Sequence, residues 1–115
     1  MIETTVKTYL LTNEITAYLE MPADYPGGSF CVIEKTGGGY EHGLSSATIT
    51  IQSYGASLAN AAALNNAVKS VMLSIISLPS VTHVELNSDY NYTDTATLRY
   101  RYQAVYDLTY YEEET

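Results

Sequence analysis

The chain has no tryptophan, one phenylalanine, one cysteine and only five basic residues against thirteen acidic ones. A single cysteine, Cys31, excludes an internal disulfide framework, and its apolar neighbours predict a buried thiol. The scarcity of bases excludes the basic footprint with which nucleic-acid-binding proteins displace counterions from phosphates. The sequence also lacks an apolar run long enough to span a bilayer and the basic n-region of a signal peptide. We therefore expect a protein made in the cytoplasm, without a membrane partner.

The residues that are present suffice for one folded domain. The chain has 115 residues, of which 46% are apolar and 16% charged, as in ordinary globular domains. Because no repeat or shift in composition divides it, we predict a single domain over residues 1–115. The net charge of -8 either serves solubility alone or gives a surface past which DNA can move without binding.

Apolar residues at helical spacing predict two helices, over residues 2–13 and 57–78. Ser57 is a candidate N-cap for the longer helix, and Pro79 ends it. One apolar row of this helix faces its own sheet. A second row predicts packing against another subunit, because water would be an unfavourable neighbour for it; its residues are Leu64, Ala67, Val71 and Leu78.

Period-two alternation predicts strands over residues 15–21, 47–52 and 97–110, although a continued helix is the alternative for 15–21. Residues 30–35, bounded by a loop and by glycines, and residues 81–86 are predicted as two further short strands. Two segments between them are predicted to be irregular: a mobile loop over 36–45, rich in glycine, and a polar, turn-like stretch over 87–95. Residues 112–115 are predicted to be a solvated tail. The order of elements predicts an α+β fold, with an antiparallel or mixed sheet of four to five strands packed against one long helix and a shorter N-terminal helix.

Residues with catalytic or metal-binding chemistry are few and scattered. Cys31, His42 and His83 lack the spacing of metal ligands. The glycines at 37–39 follow a strand, but no Gly-Lys-Ser/Thr follows them, which excludes a phosphate-binding loop. Glu34 and Glu41 could act as an acid–base pair, although solvated surface acids are far commoner. We therefore predict no catalytic residue, cofactor or metal, and no enzymatic activity.

Tyrosine is the unusual residue of this chain. There are twelve tyrosines, and seven of them fall between Tyr90 and Tyr111. Their rings could cover the edge of the core while the hydroxyl groups reach water. They could equally form a protein interface, where tyrosine is enriched. Stacking on nucleic-acid bases is a third option, but it normally accompanies a basic groove.

Four segments resemble the small tail-terminator, or tail-completion, proteins of long-tailed bacteriophages. Residues 29–38 (SFCVIEKTGG) resemble the first hairpin strand of that family, and residues 47–57 (ATITIQSYGAS) its second strand and helix entry. The run 61–65, with Val68 and Met72, is similar to its long helix. Residues 101–108 (RYQAVYDL) resemble its final strand, so that the resemblance covers nearly the whole chain.

The resemblance implies a structural virion protein at the junction of tail and head, made in the cytoplasm of a bacterial host. Such proteins form a homo-oligomeric ring, usually hexameric, that caps the tail tube and leaves a central channel for DNA. The implied partners are the tail tube protein and a head-completion or neck protein, and DNA passes without specific binding. The family has no catalytic residues to carry over.

On this interpretation two segments are candidates for contacts with neighbouring subunits or for lining the channel. They are the glycine-rich loop and the acidic C-terminus, with the residues Tyr40, Glu41, His42, Tyr110, Tyr111, Glu112, Glu113 and Glu114. Two other functions stay open. One is a different neck or minor capsid protein that docks on the portal and its adaptor. The other is an unrelated ligand-binding module or enzyme, which predicts one pocket that holds Glu34, His42 or His83 together.

Overall fold

Two antiparallel hairpins and two helices make up the computed structural model, which describes residues 1–112. The elements are α1 (Ile2–Thr12), β1 (Ala17–Tyr18), β2 (Phe30–Glu41), β3 (Leu44–Gly55), α2 (Leu58–Leu73), a 3₁₀ turn (Ser74–Ser77), β4 (Val81–Asn91) and β5 (Tyr100–Tyr110). The strands form one mixed sheet in the order β1-β2-β3-β5-β4, in which only β1 and β2 run parallel. The α+β prediction, with a five-stranded sheet and two helices, is confirmed.

Both helices pack on the same face of the sheet, because the apolar side chains of the long strands alternate toward that face. Ile33, Ile51 and Leu108 point from the sheet into a continuous core, where they join Val6 of α1 and Val68 of α2. Neither of the two described helices covers the opposite face, which we call the open face. It includes Glu34, Thr48, Gln52, Glu85, Gln103 and Asp107. Within residues 1–112, no helix is long and apolar enough to cross a bilayer.

The long helix is shorter and better enclosed than predicted. The Ser57 hydroxyl accepts a hydrogen bond from the Asn60 amide at 3.1 Å, which confirms the predicted N-cap. At the other end, Ser74 donates to the Val71 carbonyl at 2.6 Å, and the chain tightens into a 3₁₀ turn instead of continuing to residue 78. In the second apolar row only Ala67 is exposed, whereas three members pack against the chain's own core: Leu64, Val71 and Leu78. This face therefore does not present the wide apolar surface that we expected another subunit to cover.

The glycine-rich segment 36–45 is not a loop. β2 and β3 stay paired as far as Glu41 and Leu44, and only His42 and Gly43 form the turn. Both turn residues have positive φ, 53° and 82°, as a two-residue type I′ hairpin requires. Glycine disfavours strands in general, but here the ladder with β3 overrides that preference. The prediction of a mobile connection was wrong.

Three other strand boundaries also differ from the predicted ones. The strand predicted at 15–21 is reduced to the two residues of β1. β4 continues through the polar stretch to Asn91, with a bulge between Leu86 and Ser88 that disrupts the alternation in the sequence. β5 begins at Tyr100, because Leu98 has a φ of 55° and is 65% exposed, outside the sheet.

Candidate interaction surfaces

The two segments predicted as interfaces lie together at one end of the sheet, which we call the hairpin end. In the strand register Tyr40 is opposite Ser45, and Ser45 is opposite Tyr110. Neighbouring strands are about 4.8 Å apart, which places the backbones of Tyr40 and Tyr110 roughly 10 Å from each other. The sequence could not show this proximity, because it depends on β5 pairing with β3.

The hairpin end presents tyrosines and carboxylates to solvent. Tyr40 is 73% exposed, and the side chains of Glu41 and His42 are 83% and 87% exposed, with His42 Nε2 3.3 Å from Glu41 Oε1. Beyond β5, Tyr111 is 53% exposed and Glu112 is also exposed. Such side chains suit contact with another protein, since tyrosine offers a large, stiff ring with a polar end.

Tyr110 is the exception among the predicted interface residues, because it is buried. Burial raises the pKa of its phenol, and the nearby charges of Glu112 and Glu3 raise it further. Tyr110 therefore supports the hairpin end from inside, and Tyr40, Tyr111 and the carboxylates form its surface. The predicted residues Glu113 and Glu114 lie outside the described residues.

The open face is polar and held by side-chain hydrogen bonds that cross the strands. Asp107 accepts one hydrogen bond from Thr48 and another from Asn87, each at 3.1 Å. Four residues further from the His42 turn, Gln52 donates to Gln103 at 2.9 Å, and Gln103 donates in turn to the Tyr90 hydroxyl. These bonds restrict the rotation of polar side chains on three neighbouring strands and hold them in one arrangement.

The charge of the open face is predominantly acidic. Glu34, Glu85 and Asp107 come from three different strands, and none of them has a Lys or Arg partner within 4.0 Å among the described residues. The arginines on this side of the sheet are Arg101, the second residue of β5, and Arg99, just before that strand, and both lie at the end away from the His42 turn. An acidic surface of this kind repels phosphate groups electrostatically.

Opposite the hairpin end lies an aromatic cluster, which we call the aromatic end. Phe30 and Tyr54 stack with their rings 4.8 Å apart and nearly parallel, and Tyr18 and Tyr25 pack edge-on against Phe30. Burial raises the pKa of the Tyr25 phenol, an effect that the nearby Arg99 partly offsets. This end is therefore a small second core on the open side of the sheet.

Two arginines complete the aromatic end. The Arg99 guanidinium lies 4.1 Å from the centre of the Tyr25 ring, and that of Arg101 lies 4.6 Å from the Tyr92 ring. Arg101 also donates to the Tyr54 hydroxyl at 3.0 Å and to the Tyr92 carbonyl at 2.7 Å. Sequence analysis counted these arginines only among the five bases and gave them no role. Their spacing of two along a tyrosine-rich strand was the signal that both could reach aromatic rings.

The residues considered for catalysis lie apart. Glu34 is on β2, His42 at the hairpin turn and His83 on β4, which β3 and β5 separate from β2. Cys31 is fully buried, and burial raises the pKa of its thiol to about 12, so that it stays protonated and unreactive. Among the described residues no three His, Cys, Asp or Glu side chains could together hold a metal ion. These residues therefore do not form the common pocket that the enzyme alternative predicts.

A polar contact joins α2 to β4 on the helix side of the sheet. Asp89 accepts hydrogen bonds from Asn65 and from Lys69, each at 2.9 Å. The Lys69 hydrogen bond is the main cause of a lowered pKa at Asp89, and the Asn65 hydrogen bond adds to it. About a quarter of each charged side chain is exposed, so this is a half-buried ion pair that ties the helix to the sheet edge.

A groove runs along α1 beside the segment that leads into β4. Its volume is about 680 Å³, within the range of small-molecule sites. The lining is neutral and consists mainly of threonines of α1 and the segment Leu78–Ser80. Tyr9, the lining residue with a titratable side chain, already contacts Ser74 Oγ at 2.7 Å. The groove therefore has the volume of a ligand site but few side chains that could bind a ligand specifically.

No known protein-family model and no curated protein matches the chain. The function must therefore be argued from the surfaces described above and from the resemblance of the sequence.

Proposed function

We propose that this chain is the ring-forming subunit of a bacteriophage tail terminator. Copies of it cap the tail tube and join the tube to the head, and they leave a central channel through which DNA passes. The protein acts by assembly and has no catalytic role. Its partners are further copies of itself, the tail tube protein and a head-completion or neck protein.

The observation on which this proposal rests is the composition of the hairpin end. Two segments far apart in the sequence converge there and expose Tyr40 and Tyr111 beside the carboxylates of Glu41 and Glu112. A tyrosine ring that its own chain leaves more than half exposed gains further burial only by contact with another molecule. The carboxylates around it would select a partner surface of opposite charge.

The open face supports a channel for DNA. It is acidic, ordered and uncovered by either helix. Facing a channel, it would keep the phosphate backbone at a distance. The helix layer would then form the outer, wider side of each subunit.

Assembly of the purified chain tests the proposal. We expect light scattering to give a mass several times the 12.6 kDa of one chain, either alone or after tail tubes are added, and electron microscopy to show rings at tube ends. On this proposal, the matching tail tubes are those of the phage that encodes the chain. A chain that stays at 12.6 kDa and leaves the tube ends bare would refute the proposal.

Charge reversal locates the surface that binds. The double variant Glu41→Lys, Glu112→Lys should weaken binding to tube ends by about tenfold or more, because it inverts the charge of the hairpin end. Its free energy of unfolding should stay within about 0.5 kcal/mol of the parent, since both side chains are exposed. The matched control is Glu20→Lys, an exposed acid beside β1 at the aromatic end. Equal binding by both variants would show that the hairpin end is not the docking surface.

Two alternatives have distinct experimental signatures. A neck or minor capsid protein would bind rings of the portal and adaptor but not tail tubes, so a pull-down against both separates the two roles. A ligand-binding module would use the groove beside α1, which has the volume of a ligand site. Filling it with Thr8→Tyr should leave tube binding unchanged if the chain is a ring subunit.

A further inference from the structure

Both edges of the sheet are long, and most of each edge has no strand beside it. β1 pairs only with Cys31 and Val32, so no other strand among residues 1–112 lies on the outer side of β2 from residue 33 to residue 41. β4, eleven residues long, is the opposite edge, and no other described strand pairs with its outer side. Unpaired edges of this length are templates for another strand, and soluble proteins normally cover or shorten them.

The strand directions allow the two edges to pair with each other. β2 and β5 run one way, and β3 and β4 run the other way. Rotation about an axis along the strands places a second copy beside the first without reversing any strand. β4 of one copy then meets β2 of the next in the antiparallel direction, the pairing that the sheet already uses between its long strands.

The side chains at the two edges are compatible with this contact. We extend the register of the sheet from one copy to the next without a shift. Glu34, Lys35 and Gly37 of β2 in one copy then lie opposite Ser88, Leu86 and Glu85, respectively, of β4 in the other copy. No acid then faces an acid, and Lys35 lies one position from Glu85. The glycines 37–39 add no side chains that would hinder the approach of a strand.

We propose that β4 of one copy adds to the free edge of β2 on the next, so that one antiparallel sheet continues around the ring. The interaction surface is the outer backbone of residues 33–41, and the partner is a second copy of this chain. The polar open face lines the channel, because the two helices occupy the wider outer side. This proposal rests on the ring function proposed above and specifies how the ring closes.

The hairpin turn identifies which backbone groups are free. The pair that flanks a two-residue turn, Glu41 and Leu44, exchanges both backbone hydrogen bonds, and the following pairs alternate. Glu41 and Gly39 therefore direct their amides toward β3, whereas Tyr40 and Gly38 direct theirs outward. Gly38 is exposed and is the position where an outward amide can be removed with the least disturbance.

The test compares Gly38→Pro with Gly38→Ala. Proline is tolerated on an edge strand where its missing amide would face solvent, but it blocks an added strand. Alanine keeps the amide. Its Cβ would meet the flexible end of the Lys35 side chain at 2.8 Å and the Ser46 carbonyl oxygen at 3.3 Å, so that a rotation of the lysine and a shift of a few tenths of an ångström in the backbone accommodate it. We expect G38P to keep the circular dichroism spectrum of the parent but remain at 12.6 kDa, while G38A assembles like the parent.

Amide hydrogen exchange on the assembled parent provides a second measurement, should G38P fail to fold. Edge pairing predicts that the outward amides of Gly38 and Tyr40 exchange as slowly in the ring as the inward amides of Gly39 and Glu41. Fast exchange at Gly38 and Tyr40 in the ring, or a G38P chain that assembles to the parent mass, would overturn the edge pairing. A parent chain that never assembles would instead refute the ring function itself.

Discussion

The two ends of the sheet are both rich in tyrosine but use it in opposite ways. At the aromatic end Phe30 and Tyr54 are 1% and 3% exposed, enclosed by Tyr18, Tyr25 and the two arginines. At the hairpin end Tyr40 and Tyr111 are 73% and 53% exposed. The difference arises because the segment between β1 and β2 folds over one end of the open side, and no described segment does so at the other. Aromatic content alone therefore cannot separate core from interface.

Truncating one aromatic residue at each end gives the largest contrast. Phe30→Ala should lower the free energy of unfolding by about 3–5 kcal/mol, because it leaves a cavity among three aromatic rings. Tyr40→Ala should change it by less than about 0.5 kcal/mol, since that ring is exposed. Urea denaturation measures both. Similar losses would mean that the two ends do not differ as described.

Removing an arginine from the aromatic end should have a smaller effect on stability than removing Phe30. Arg101→Ala should cost about 1–2 kcal/mol of stability, because the guanidinium stacks on Tyr92 and donates to the Tyr54 hydroxyl. Arg101→Lys should recover only part of this, since an ammonium lacks the planar fork. The control is Lys35→Ala, midway along β2, whose ammonium forms no ion pair among the described residues. An equal loss in both alanine variants would count against the aromatic–arginine cluster.

Asp89, on β4 between the two ends, gives the smallest and most pH-dependent effect. Because Lys69 lowers its pKa in the folded state, the stabilisation is complete above the unfolded value near 3.8 and is lost as the pH falls through the folded pKa. Asp89→Asn should cost about 1 kcal/mol at pH 7. Below pH 4 its free energy of unfolding should fall less steeply than that of the parent. Parallel pH profiles for the two proteins would contradict this assignment.

The sequence was most informative where burial follows a simple period. β5 was predicted closely, because residues 100–110 alternate without interruption and face a helix layer on one side only. The second half of β2 and the second half of β4 were not predicted as strands, because burial there does not follow a simple period. The glycines of β2 and the bulge after Leu86 in β4 hide the alternation, and in both places the pairing with the neighbouring strand decides the conformation.

The candidate surfaces were predictable only in part. Tyr40, Glu41 and His42 are exposed as a flexible loop would be, but they sit on a rigid hairpin. That they lie near Tyr110 follows from the strand order, which local patterns do not contain. The aromatic end was missed because it joins residues from four elements distant in sequence, and the free edge of β2 was missed because the brevity of β1 is set by tertiary packing.

The number of long strands in the sheet, four, has a consequence for stoichiometry. Because the number is even, the strands that meet at each interface between copies are antiparallel. Rings of five, six or seven copies would therefore all close without a parallel pair of strands. On the proposed pairing, the hydrogen bonds between copies therefore do not determine the number of subunits in the ring. Each copy adds about 19 Å to the circumference of the ring. The number of copies is then set by the angle between adjacent copies, which depends on how their helix layers pack against each other.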